Sequence, residues 1–268
     1  MAKQRIGIHL STSGGVFRAA ERAHAIGANT FQIFSSSPRM WRAQRLEASH
    51  CQQMQRLRTE YDCFPLVIHT SYLVNLCSQT ELFRRKSIVA FRGEVERALA
   101  LGAEYLVLHP GSWKGLTREQ GLRLAAESIA EAVEGLPFDG CDFRVLIENT
   151  AGAEFSLGGT FEQVAELIER LEPVVPVGAC LDTCHCHVAG YDLVSEAGWE
   201  KTVAQIRSTI GLEPFRRLLN DPRFAHCAFI AETPVDQPED DRRNLETMVG
   251  LIEKKAPAKP GRRRKVAT

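Results

Sequence analysis

The chain has 268 residues, 44% of them hydrophobic, with 33 Lys and Arg balanced by 33 Asp and Glu. This composition is that of an ordinary soluble globular protein. It excludes an integral membrane protein, because no apolar run approaches the roughly 20 residues of a membrane helix. The apolar stretch near the N-terminus is too short for a signal peptide. We therefore expect a cytoplasmic protein with no membrane partner.

The balanced charge hides an asymmetry between the body of the chain and its C-terminal tail. Residues 254–268 contain seven Lys or Arg and no acid, which leaves 26 basic against 33 acidic residues in 1–253. An acidic body disfavours nucleic-acid binding unless its carboxylates hold cations, which change the local charge. We predict one domain over residues 1–253 and a basic, disordered tail over 254–268. The tail either contacts a phosphate backbone or only aids solubility.

Short runs rich in Val, Ile and Leu alternate with longer helical patterns along the chain, which is typical of βα units and a parallel sheet. The predicted strands are residues 5–10, 30–35, 66–69, 105–109, 144–148, 178–182 and 228–232. Helical patterns include residues 16–26, 82–101, 119–133 and 161–171. The alternation predicts an α/β fold with TIM-barrel-like (β/α)8 architecture.

The interval before the last predicted strand breaks this alternation. Two helical patterns, 195–206 and 212–219, follow one another with no strand between them. Seven strands are therefore predicted where a closed barrel of this type has eight.

Five of the predicted strands end on a residue that can bind a metal ion. These residues are His69, His109, Glu148, Asp182 and Glu232. In a βα barrel the C-terminal ends of the strands converge on one face, and a lone buried charge there is costly. A single such histidine would more simply be a core residue, but the set of five predicts a metal centre.

The mixture of imidazole and carboxylate narrows the choice of metal. It suits zinc, manganese or iron better than magnesium or calcium. In the segment DTCHCH, Asp182 and His185 are spaced to point into one site, whereas we expect Cys184 and Cys186 to pack. Glu148 lies in the middle of the strand order and is the natural carboxylate to bridge two ions. A centre with several ions suits phosphodiester hydrolysis, because the ions activate water and stabilise the leaving oxygen.

Six segments of the sequence resemble successive motifs of the endonuclease IV family. They are IHLSTSGG (8–15), HTSYLVNL (69–76), LVLHPGS (106–112), IENTAG (147–152), LDTCHCHVAGYD (181–192) and ETP (232–234). They occur in the family's order, and the resemblance runs from about residue 5 to about residue 250. It implies an α/β barrel that holds up to three zinc ions. It also implies hydrolysis of the phosphodiester 5′ to abasic sites in double-stranded DNA, a step of base excision repair.

The resemblance further implies a ligand set for each ion. His69, His109 and Glu148 would hold the first zinc ion. Glu148, Asp182 and Glu232 would contribute to the second, and His185 to the third. Glu148 and Glu232 are the residues expected to be catalytic.

The same resemblance implies three DNA-binding residues. Tyr72 and Leu73 would form a wedge that enters the duplex at the lesion, and Arg39 would insert into the base stack. An apolar wedge with an arginine is a physically sensible way to unstack a duplex that already lacks a base.

One segment of the family has no counterpart in this sequence. The family has a strand reading like HLNDS and a loop reading like DRH, whereas here the chain passes almost directly from Gln205 and Ile206 to residues 210–214. A deletion between about residues 206 and 211 removes one histidine of the second zinc site and an aspartate and a histidine of the third. It also leaves the neighbouring strands unpaired, so we expect weakened or absent incision.

Two other interpretations of the sequence remain open. A sugar isomerase or epimerase could use Glu148, Asp182 and Glu232 around a divalent metal on the same barrel, although Tyr72 and Arg39 would then have no evident purpose. Alternatively, the chain binds abasic DNA without cleaving it, or is a non-functional product of the deletion. No pattern indicates an oligomer, so a monomer is expected.

Overall fold

Seven parallel strands form one sheet in the computed structural model of this protein. The structure describes residues 4–43, 45–195, 197–198, 201–202, 204–205, 228–232, 237 and 239–250. The strands are β1 (Arg5–His9), β2 (Thr30–Phe34), β3 (Leu66–His69), β4 (Tyr105–Leu108), β5 (Arg144–Glu148), β6 (Val177–Cys180) and β7 (Ala228–Ala231). The described helices are α1 (Arg18–Ile26), α2 (Ala48–Tyr61), α3 (Glu81–Leu101), α4 (Arg118–Val133), α5 (Phe161–Leu171), α6 (Thr183–Val188) and α7 (Asp240–Gly250).

The order of the strands in the sheet is β6-β5-β4-β3-β2-β1-β7. The first six strands are neighbours in chain order, as successive βα units require. The last strand, β7, pairs with β1, with Ile6 opposite Phe229 and Ile8 opposite Ala231. Within the described residues β6 and β7 are the two ends of the order and do not pair with each other. The predicted TIM-barrel-like fold is thus confirmed, and in the described part of the chain the sheet has seven strands, with its open position between β6 and β7.

Several strands end one or two residues before their predicted ends. Strand β6 ends at Cys180, two residues before its predicted end at Asp182, because Asp182 caps the short helix α6. The second helical pattern, 212–219, lies outside the described residues, as do residues 196, 199, 200, 203 and 206 of the first. The predicted tail also lies outside them, so the boundary at residue 253 stays a prediction.

The core lies between the sheet and the helices that cover it. The strands contribute fully buried apolar side chains such as Phe31, Ile68 and Ile147, and helix α3 contributes Phe91 and Val95. Truncation of a buried Phe to Ala typically costs about 3–5 kcal/mol, so each such contact matters to a domain of ordinary stability. The apolar strand interiors therefore hold the sheet in place and fix where its C-terminal ends lie.

Gly7 shows how closely the strands approach one another. A Cβ atom at this position would lie 1.9 Å from the carbonyl oxygen of Thr30, which is backbone and cannot move aside. Only glycine fits this contact between β1 and β2, so the register of the two strands depends on it.

Candidate metal centre

Three neighbouring strands bring together the first group of candidate ligands. His69 is the last residue of β3, His109 follows β4 directly, and Glu148 is the last residue of β5. Oε2 of Glu148 lies 3.2 Å from Nε2 of His69 and 3.0 Å from Nε2 of His109. One ligand atom from each of the three residues lies within 4.8 Å of the others, a separation that one metal ion can span.

A second group shares Glu148 with the first. Its other oxygen, Oε1, lies 3.2 Å from Nδ1 of His185, and Oδ2 of Asp182 lies 3.8 Å from the same nitrogen. The ligand atoms of Glu148, Asp182 and His185 again lie within 4.8 Å of one another. The two oxygens of Glu148 therefore face different groups, which is the arrangement of a carboxylate that bridges two ions.

Asn149 ties the second group to the strand that carries Glu148. Its side-chain oxygen accepts a hydrogen bond of 2.7 Å from the backbone N–H of Asp182, and its amide nitrogen donates one of 3.1 Å to the carbonyl of Asp182. Oδ1 of Asp182 in turn accepts from the backbone N–H of His185 at 2.8 Å, which caps helix α6. Such supporting hydrogen bonds orient ligands before a metal ion binds.

Electrostatic interactions among these groups keep Glu148 ionised. Burial would raise the pKa of Glu148, but the imidazoles of His109, His185 and His69 outweigh burial and hold that pKa well below its usual range. Hydrogen bonding to Glu148 raises the pKa of His185 to about 9, and Asp182 adds to this effect. Burial lowers the pKa of His69, yet the neighbouring Glu148 reverses the direction and the pKa is raised. Glu148 is therefore an ionised carboxylate whose negative charge is shared by three imidazoles.

Two observations show that these residues fit a metal ion. Nε2 of His109 is buried and lies 3.0 Å from Oε2 of Glu148, so both atoms are within reach of one ion. Nδ1 of His69 lies 2.7 Å from the carbonyl oxygen of Thr70, so the neutral ring carries its proton on Nδ1 and leaves Nε2 as a lone pair. Buried nitrogen and oxygen donors need partners, and a metal ion between them supplies one to each. The mixed nitrogen and oxygen donors suit a first-row transition ion.

Glu232 belongs to neither ligand group among the described residues. It follows β7, is exposed, and its Oε1 accepts a hydrogen bond from the side chain of Gln32. Its charge still contributes to the raised pKa of His69, so it lies near the centre. Among the described residues neither candidate ligand group includes Glu232, and its role as a ligand and catalytic residue stays a prediction.

The predicted DNA-binding residues lie on two adjoining loops at the same end of the sheet. Arg39 and Tyr72 are exposed, Tyr72 to 61%, and Leu73 is half-buried. The ring of Tyr72 lies 5.4 Å from that of His69. The hydroxyl of Ser71 donates a hydrogen bond of 2.8 Å to the carbonyl of Pro38, which joins the two loops. Tyr72 thus lies beside the metal centre, with Leu73 next to it in the chain and Arg39 on the adjoining loop, and the contacts of all three with DNA stay a prediction.

Two further polar residues, His9 and Gln32, were not predicted as site residues and form hydrogen bonds near the centre. His9 ends β1, and its Nδ1 lies 3.0 Å from Nε2 of Gln32, which also binds Glu232. Burial, together with the charge of His69, lowers the pKa of His9 to about 4, so the ring is neutral. His9 obeys the same rule of an ionisable residue at a strand end, and that signal could have found it. Gln32 lies inside an apolar run and gave no such signal.

The fold and the centre together define a class of protein, a parallel barrel of βα units with a His and carboxylate centre at the strand ends. The family of xylose isomerase-like TIM barrels matches residues 20–208 of this chain. Among curated relatives, probable endonuclease 4 of Solibacter usitatus is 42% identical and covers 94% of this chain and 98% of its own length. Endonuclease 4 of Thermus thermophilus is 34% identical, with coverages of 93% and 98%.

The comparison with solved structures indicates the same family as these relatives. The crystal structure of endonuclease IV from Thermus thermophilus matches with a TM-score of 0.79 and 31% identity, and the match covers 92% of this chain and 98% of that one. This chain therefore belongs to the endonuclease IV family. D-psicose 3-epimerase from Clostridium cellulolyticum matches with 13% identity and a TM-score of 0.55, which shows a shared fold alone. The sugar isomerase or epimerase interpretation is not favoured.

The comparison with Solibacter usitatus also bears on the missing segment. The alignment extends over 287 residues, whereas this chain has 268. The relative therefore contains residues that this chain lacks, in agreement with a sheet of seven described strands. Within the described part of the chain, no helix is both long enough and apolar enough to cross a membrane.

Proposed function

We propose that this chain is a zinc-dependent endonuclease that hydrolyses the phosphodiester 5′ to an abasic site in double-stranded DNA. The observation that carries the proposal is the position of Glu148. It lies among three imidazoles and beside Asp182, at the end of the sheet where Tyr72 is exposed. The names of the relatives, which describe endonucleases, support the same reaction class.

Different residues of the chain would have different roles in such a reaction. His69, His109 and Glu148 would hold one ion, and Glu148 with Asp182 and a further ligand would hold a second. When bound, the ions lower the pKa of a water and neutralise the phosphate and its leaving oxygen. Glu148 keeps the two ligand groups at a fixed separation because each of its oxygens faces one of them.

Arg39, Tyr72 and Leu73, the rim residues of the centre, would select the substrate. Tyr72 offers an exposed aromatic ring on which a base can stack, and Arg39 is exposed on the adjoining loop. Insertion of such side chains is easiest where a base is already absent, because less stacking has to be broken. The acidic body would repel DNA without ions, so we infer that binding also depends on the metal centre.

The deletion leads us to infer that incision is weaker than in full-length relatives. The relatives' extra segment has no counterpart here, and β6 and β7 are unpaired with each other in the described sheet. A centre with fewer ligands holds ions less firmly, and an opened sheet positions them less well. The rim residues are retained, which favours a non-cleaving abasic-DNA binder as the second candidate.

The test is incision of a duplex oligonucleotide with one tetrahydrofuran abasic analogue by the full chain loaded with zinc. Zinc-dependent cutting 5′ to the lesion, absent from an undamaged duplex and absent in Glu148→Gln, supports the endonuclease. Binding to the abasic duplex without cutting, by folded protein that contains zinc, supports the binder and contradicts the endonuclease. His187→Ala, which removes an exposed histidine of helix α6, is the matched control and should cut as the unaltered chain does.

A further inference from the structure

His185 belongs to the second ligand group in this chain. Its Nδ1 lies 3.2 Å from Oε1 of Glu148 and 3.8 Å from Oδ2 of Asp182. The resemblance assigned His185 to a third ion, whose other ligands fall on the missing segment. We propose that this chain holds two ions and that His185 supplies the nitrogen ligand of the second. This inference rests on the proposed metal-dependent function.

The two oxygens of Glu148 make this assignment specific. Oε2 is occupied by the first group, at 3.2 Å from His69 and 3.0 Å from His109. Oε1 lies 3.2 Å from Nδ1 of His185, whereas the contacts of His69 and His109 are with Oε2. An ion on the Oε1 side would therefore meet His185 before any other imidazole described in the structure.

The two carboxylate oxygens of Asp182 also make different contacts. Its Oδ1 accepts the backbone N–H of His185 at 2.8 Å and so fixes the start of helix α6. Its Oδ2 remains directed toward the imidazole. Because Asn149 binds both the N–H and the carbonyl of Asp182, the second group is held in place by hydrogen bonds that do not use the ligand atoms. That is the arrangement expected of a prepared metal site.

Three protein ligands would satisfy the needs of this second ion. A catalytic zinc site commonly has three protein ligands and an open position for water or substrate, whereas a single imidazole does not make a site. His185 in the second group therefore restores a mixed nitrogen and oxygen set that the deletion would otherwise reduce to carboxylates. In the third position it would stand without described partners.

The contact that competes with this assignment involves the backbone. Nδ1 of His185 lies 2.9 Å from the carbonyl oxygen of Asn149, and there the ring would donate a hydrogen bond. As a ligand, Nδ1 must lose that proton when the ion binds. If His185 only positions Glu148, Nδ1 keeps the proton in the zinc-loaded protein. The two roles therefore differ in the state of one nitrogen atom.

Native mass spectrometry of the full chain titrated with zinc tests the stoichiometry. We expect two ions in the unaltered chain, one in His185→Ala, and two in the control His187→Ala. Three ions in the unaltered chain, or two retained by His185→Ala, would overturn the proposal. Circular dichroism would verify that each variant is folded.

Nitrogen-15 NMR of the unaltered chain makes the test independent of any variant. On addition of the second equivalent of zinc, the His185 resonances should show Nδ1 without its proton and bound to metal. A protonated Nδ1 in the fully loaded protein would overturn the ligand role in favour of a positioning role. The absence of incision with two ions bound would contradict the proposed endonuclease but leave the assignment of His185 intact.

Discussion

Nε2 of His109 is a buried atom that lies 3.0 Å from Oε2 of Glu148. The contact places an imidazole nitrogen and a carboxylate oxygen side by side at the ends of two neighbouring strands. A metal ion bound between the imidazole nitrogen and the carboxylate oxygen would contact both atoms at once. Glu148 is thus the residue whose change should most affect the centre.

Glu148→Gln should remove both metal binding and incision. The substitution keeps the size of the side chain but deletes the charge shared by the imidazoles of His69, His109 and His185. Loss of an outer partner of a metal ligand already costs about 10–100-fold, so we expect incision to fall by more than about 100-fold. Zinc content by native mass spectrometry and incision of abasic duplex measure the effect. Glu154→Gln, an exposed acid nearby in the chain, should retain both activities; an active Glu148→Gln would contradict the bridging role.

The stability of the metal-free protein should fall as the pH rises from neutral into the alkaline range. Contact with Glu148 raises the pKa of His185 to about 9 in the folded chain, against about 6.5 in an unfolded one. A raised pKa stabilises the fold fully below about 6.5, and this contribution is lost as the pH rises through about 9. Thermal unfolding between these two values would show a falling Tm, with a smaller fall in His185→Ala.

Zinc should reverse that dependence. An imidazole ligand binds metal only without its proton, so zinc competes better as the pH rises, and binding releases protons at neutral pH. Calorimetric titration in two buffers that differ in ionisation enthalpy counts the protons released. The same Tm with and without zinc at a pH of about 8, inside the window set by the raised pKa of His185, would contradict a metal centre at these residues.

Tyr72→Ala should weaken binding of abasic DNA without loss of zinc. The side chain is 61% exposed and contributes no ligand atom to either group, so the centre should survive its removal. Base–aromatic stacking is worth about 1–3 kcal/mol, which corresponds to about 5- to 150-fold in Kd. Fluorescence anisotropy with a labelled duplex measures the change, and Leu82→Ala, 69% exposed on helix α3, is the control. Equal Kd values for the two variants would contradict the role of Tyr72 as a wedge.

Glu104→Ala should destabilise the fold without emptying the centre. Its carboxylate accepts hydrogen bonds from the buried guanidinium of Arg58 and from the backbone N–H of Leu66, where β3 begins. Breaking a buried ion pair leaves an unpaired charge, and because Glu104 is partly exposed we expect a loss of about 3 kcal/mol. Urea unfolding measures it. Glu60→Ala, which breaks the exposed pair with Arg56, should cost less than about 1 kcal/mol, and an equal loss would contradict the argument.

The order of the strands and the position of most site residues followed from sequence alone. An apolar run that stops at His69 or Glu148 marks a strand whose end meets the others, because parallel strands in a βα barrel all point to one face. The missing strand was also predictable, since two helical patterns in succession leave no room for it. His9 obeys the same rule, but its strand was predicted to continue to residue 10.

The division of the ligands between ions could not be predicted in this way. Sequence order does not say which oxygen of Glu148 faces which imidazole, nor that Asp182 begins a helix and so directs His185 toward the same carboxylate. Those relations depend on distances of a few ångströms between elements that are far apart in the chain. The sequence by itself determined the family, the βα alternation and the candidate ligands, because these depend on local patterns and motif order. Only the tertiary structure decided that Glu148 lies between two groups and that Glu232 accepts a hydrogen bond from Gln32. It also decided that β6 and β7 do not pair with each other in the described sheet, because packing sets those distances.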